Sequence, residues 1–104
     1  MSIPAPYAKL KKERPVLIAA YEAFGDECAK IGPLDAKNVA LLKLAISLGA
    51  GLEGAAHSHA RKALEAGWKP EELLHVATLS APTIGFPSMM RNRGWINDVI
   101  EEKR

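Results

Sequence analysis

Apolar positions recur at spacings of three and four along almost the whole chain, and β-branched residues nowhere alternate with polar ones over any length. The pattern predicts helices and no sheet. An extended lead carrying Pro4 and Pro6 precedes a helix that Pro15 opens and that runs to about Ile31, where Gly32-Pro33 stops it. Asp35 stands where it can cap a second helix through Leu48. On that helix Val39, Leu42, Ala45 and Ile46 share a face, and the glycines from Gly49 to Gly51 end it. A third helix spans about Leu52 to Ala66, with Gly67 as its stop. Pro70 restarts the chain, and Glu71 and Glu72 suit the positive end of a fourth helix reaching about Ile84, with Pro82 a source of a kink. The turn Gly85 to Pro87 leads into a last helix, about Ser88 to Glu101. The expected fold class is therefore all-α, a small bundle of about five helices.

Composition changes this picture little. A chain of 104 residues, 48% hydrophobic and 25% charged, is expected to fold as a single domain over residues 1–104, with room for a partner subunit to supply part of its burial. Fourteen Lys and Arg against twelve Asp and Glu leave a formal charge of +2, too balanced for a nucleic-acid footprint. The basic run from Lys9 to Arg14 reads as a solvated lead-in to a helix. Cys28 is the single cysteine, which excludes an intramolecular disulfide or a CxxC redox pair and leaves an inert thiol as its reading. No apolar run approaches the roughly 20 residues that cross a bilayer, and the N-terminus lacks an apolar signal core, so the expectation is a cytoplasmic protein with no membrane contact.

The candidate chemistry lies in the third helix. At about 100° per residue, Leu52, Ala55, Ala56, His59, Ala63 and Ala66 fall on one stripe, so His59 is expected to point inward. Alanines beside an imidazole leave room that larger residues would fill. His59 is then either a core or interface histidine satisfied by one hydrogen bond or an acid/base group at a small cavity. His57 lies about 200° away on the opposite face. The two histidines cannot chelate one ion without unwinding the helix, and no metal site is assigned. Glu53, His57 and Arg61, four residues apart in turn, form a polar ridge that is either a solvated face or a line of groups reaching into a neighbouring subunit. On the fourth helix Leu73, Val76, Ala77, Ser80 and Ile84 make the apolar stripe, and His75 falls away from it as a surface residue. Met89 and Met90 read as gap-filling core or interface residues.

The stretch from Leu41 to Pro87, above all "SHARKALEAG", "PEELLHV" and "GFP", resembles the carboxymuconolactone decarboxylase family within the alkylhydroperoxidase D-like superfamily. The resemblance implies an all-helical subunit that assembles as a homo-oligomer, a trimer or a hexamer. Peroxidase-type members carry CxxC ahead of the motif histidine. Leu52 and Ala55 occupy those positions here, so thiol peroxidase chemistry is not expected. The cysteine-free branch resembles the true decarboxylases, and His59 matches their motif histidine. His75 stands where relatives commonly have a glutamate, and Thr83 where they often have an aromatic residue.

Such a lyase acts without a cofactor on a small carboxylated lactone, and His59 is the expected proton donor. From charge alone, Arg61 and Arg91 are candidates to hold substrate carboxylates, with Glu53, His57 and His75 in supporting places. The competing readings are a non-catalytic ligand-binding or assembly module on the same scaffold, a peroxidase-related activity without the thiol pair, and a metal held across subunits by His57, His59 or His75.

Overall fold

Helix ends in this chain are written in its caps. In the computed structural model, which describes residues 5–102, the secondary structure is helical throughout: α1 (Ala5–Glu13), α2 (Pro15–Lys30), α3 (Ala36–Ala50), α4 (Glu53–Glu65), α5 (Pro70–Leu79), the single turn α6 (Ala81–Ile84) and α7 (Phe86–Glu102). No described helix is long and apolar enough to cross a membrane. The chain divides into two compact units, one ending at Leu34 and one beginning at Asp35.

The first unit corrects the expected extended lead. Pro4 lies outside the described residues, but Pro6 sits in the first turn of α1, where a missing backbone donor costs no hydrogen bond. Tyr7 on α1 donates a 2.5 Å hydrogen bond to Glu22 on α2, and Lys11 lies 3.6 Å from the same carboxylate. That hydrogen bond pushes the Tyr7 phenol up to about 12. Pro15 opens α2 as expected. Val16, Leu17, Tyr21, Phe24 and Ile31 are all exposed, as is Cys28.

In the second unit, Asp35 caps α3 by accepting a 2.8 Å hydrogen bond from the Asn38 amide. Gly51 ends it at φ 72°, with its amide bonded to the Leu48 carbonyl and the Leu52 amide to Ser47. A side chain at that left-handed position would be strained and would crowd the Arg91 guanidinium, 3.1 Å from an added Cβ. Gly67, at φ 106°, closes α4 in the same way. Beyond it Trp68 donates to the Lys37 carbonyl at 2.7 Å while the Lys37 ammonium lies over the indole, tying the turn after α4 to the start of α3. Pro82 has no amide to continue α5, so the fourth helix breaks at Ser80 instead of bending through to Ile84. The last helix begins at Phe86, two residues earlier than expected, because Pro87 also fits a first turn.

The core joins Leu44 and Leu48 of α3, Ala56, Ala60 and Ala63 of α4, Leu73 and Ala77 of α5, and Ile96 and Val99 of α7. Three alanines on α4 let its backbone lie close to its neighbours. Two expected faces are corrected here. On α3 the buried side is Leu44, Ser47 and Leu48, while Leu42, Ala45 and Ile46 are exposed, since this helix is apolar on both sides and only one packs within the unit. On α4 the buried stripe is centred on Ala56, Ala60 and Ala63, turned by roughly 60° from the expected one. That turn leaves Leu52 exposed and His59 at the margin of the core.

Asn92 is a fully buried polar residue that the pattern of apolar positions does not reveal. Its Oδ1 accepts from Arg91 Nε and Nη2 at 3.1 and 3.0 Å, and its Nδ2 donates to Ser80 Oγ at 3.3 Å. It therefore ties α7 to the break between α5 and α6. Replacing Asn92 with alanine is expected to lower the unfolding free energy by about 2 kcal/mol, because the change empties a fully buried site and takes a hydrogen-bond partner from the half-buried Ser80 hydroxyl and from the Arg91 guanidinium. Urea denaturation reads this as a lower midpoint at constant slope; an unmoved midpoint would show that the network contributes nothing.

Candidate active site

Two polar clusters flank the buried face of α4. The first is His59. Its ring is half-buried, and Nδ1 is buried with no hydrogen-bond partner among the described residues. Burial, with the positive charges of Lys43 on α3 and Lys62 one turn along α4, pushes the imidazole down to about 4. At neutral pH His59 is therefore uncharged. Neither lysine makes an ion pair among the described residues. A neutral imidazole beside two unpaired cations is suited to receive an anion and then a proton.

The second cluster is the polar ridge, which is not simply solvated. His57 Nε2 lies 3.0 Å from Asp98 Oδ2, and Arg61 donates from Nε and Nη2 to Glu102 at 2.6 and 3.2 Å. The ridge docks against α7, where Asp98 and Glu102 repeat the four-residue spacing of His57 and Arg61. The bidentate bond raises the Arg61 pKa further and holds the Glu102 carboxyl below its ordinary range. Glu53, His57 and Asp98 present ligand atoms all within 4.8 Å of one another.

The other sequence candidates lie apart from these groups. Arg91 donates to the Leu48 carbonyl at 3.2 Å and to Asn92, and its guanidinium stacks on Trp95 at 4.7 Å, so its donors already serve the end of α3. His75 is exposed on α5, as expected. Met89 is buried and Met90 exposed. An apolar groove of about 250 Å³ runs between α3 and the α5–α6 break, lined by Ala45, Gly49, Val76, Leu79, Thr83 and Ile84 among others. His59 does not line it.

Lys43, Lys62, Asp98 and Glu102 were not singled out from the sequence. The paired i, i+4 spacing of opposite charges, His57 and Arg61 against Asp98 and Glu102, was a signal that could have docked the third helix on the last. No comparable signal pointed to the lysines.

A family model matches residues 15–98, and its description is carboxymuconolactone decarboxylase family. The chain belongs to this family. The match covers all of α2 and nearly all of the second unit, including His59, Lys43, Lys62, Glu53, His57, Arg61 and Asp98 but not Glu102. Among solved structures, the apo form of a carboxymuconolactone decarboxylase family protein from Legionella pneumophila is similar, with a TM-score of 0.78 and 24% identity over 95% of this chain and 88% of that one. At that identity the likeness shows the shared all-helical fold. No curated protein matches the chain.

Proposed function

We propose that the protein is a decarboxylase-like lyase acting on a small carboxylated lactone or related acid, with His59 handling the proton. The observation that carries this reading is the half-buried imidazole with an unpartnered Nδ1, within the electrostatic reach of Lys43 and Lys62. The lysines receive the substrate carboxylates, a role their unpaired charges fit better than Arg61 or Arg91, whose Nε and Nη2 donors are already engaged. Burial holds the imidazole neutral and the lysine charges add to it; bound carboxylates offset those charges and favour the imidazolium by their own, so His59 takes a proton from solvent as substrate arrives. When the carbon–carbon bond to the carboxylate breaks and carbon dioxide leaves, the electron pair remains delocalised on the lactone. The imidazolium then gives its proton to that carbon and returns to the neutral form. The cycle needs no cofactor, and no thiol pair stands at Leu52 and Ala55 to support peroxidase chemistry.

The same reading includes a cytoplasmic homo-oligomer, a trimer or hexamer, with the open face of α3 and the adjoining groove at the subunit seam. Leu42, Ile46, Leu79 and Ile84 are exposed large apolar side chains along this surface. Purified protein is expected to release carbon dioxide from a carboxymuconolactone or close analogue. Absence of turnover across a panel of carboxylated lactones would favour a module that keeps the scaffold without the chemistry.

A further inference from the structure

We propose that Glu53, His57 and Asp98 form a binding site for a divalent transition-metal ion of the zinc class, separate from His59. The observation is the convergence of three ligand atoms of suitable type, all within 4.8 Å of one another, from two packed helices. Glu53 and His57 stand four residues apart on α4, which puts both on one face, and Asp98 reaches them from α7. Ligands held at about 2.0–2.2 Å from one zinc lie roughly 3–4 Å apart. His57 Nε2 and Asp98 Oδ2, at 3.0 Å, already meet that spacing, and the exposed Glu53 carboxylate closes the rest by rotating about its side-chain bonds.

Charge and donor type select the ion. Two carboxylates and a metal-bound neutral imidazole give the site a charge matched to a divalent cation, and Arg61, one turn along α4 from His57, is paired by its bidentate bond to Glu102. An imidazole nitrogen favours zinc, cobalt or nickel over magnesium and calcium, which prefer oxygen alone. Ligation through Nε2 requires the neutral ring to carry its one proton on Nδ1, so binding replaces the His57–Asp98 hydrogen bond by a change of tautomer and the imidazole stays neutral. Three protein ligands leave at least one position open to water.

Calorimetric titration of the full, chelator-treated chain with zinc chloride tests the site, and cobalt(II) absorption provides a second readout. The expected result is one zinc per chain. His57→Ala, Glu53→Gln and Asp98→Asn should each weaken binding by at least about tenfold, with the helical circular dichroism of the near-isosteric Asp98→Asn unchanged. His57→Ala should also lose the visible cobalt bands, while His75→Gln binds like the unaltered chain. The proposal is overturned if the unaltered chain takes up no zinc at about 1 mM, if His57→Ala binds undiminished, or if His75→Gln loses the metal equally.

Discussion

His59→Gln is expected to lower the turnover of a carboxylated lactone by about 100-fold to 10,000-fold while leaving KM within a small factor of its original value. Glutamine keeps a polar side chain of similar reach but cannot gain and release a proton near neutral pH. The loss should therefore fall on kcat, the step in which carbon is protonated, and not on the binding of the carboxylates. Lys43→Met and Lys62→Met should show the opposite emphasis, raising KM through loss of the charges beside the ring. They should also shift the pH profile, because removing a nearby cation raises the pKa of an imidazole. Steady-state kinetics on the three variants, with oligomer size checked for each, measures the division. Full activity in His59→Gln would remove this residue from the mechanism.

Ile46→Glu is expected to dissociate the assembly. Ile46 is 69% exposed in the single chain, so the change should cost the folding of one subunit almost nothing. In an oligomer that closes over the open face of α3, the same carboxylate enters an apolar seam beside Leu42 and the groove edge at Leu79. A buried, unpaired charge costs several kcal/mol at each copy of the interface, enough to weaken association more than 100-fold. Light scattering after size exclusion should show the subunit mass in place of the assembly mass, with helical content retained. An unchanged assembly would mean that subunits meet elsewhere, for which the exposed Phe24 and Tyr21 of α2 are the next surface to test.

Much of this fold was legible because its punctuation is local. Asp35, Gly51, Gly67 and Pro70 act within a turn of their own position, so they mark the ends of α3, α4 and the start of α5 without reference to the rest of the chain. Pro6 misled because proline reads alike in an extended lead and in a helix's first turn. Which side of α3 is buried was not legible at all. The helix is apolar around its circumference, and only the packing of α4 and α5 decides that Leu44 and Leu48 go inward while Ile46 does not.

The candidate site divides along the same line. His59 stands out in the sequence as a histidine on an alanine-rich helix, but its environment depends on Lys43, which belongs to another helix and adjoins it only through folding. Asp98 and Glu102 were overlooked because their partners His57 and Arg61 lie 41 residues away. Arg91 looked free in the sequence. Its bonds to Leu48 and Asn92 and its stack on Trp95 depend on α7 lying along the end of α3.

The proton-handling role of His59 is tested most directly by following its ring resonances by NMR as pH is varied, first alone and then with a saturating unsaturated dicarboxylate. His59→Gln identifies the signal by its disappearance. The account predicts a midpoint near 4 in the free protein and a rise of more than about one unit when the dicarboxylate binds between the lysines. An ordinary midpoint near 6.5 that the ligand leaves unmoved would contradict it.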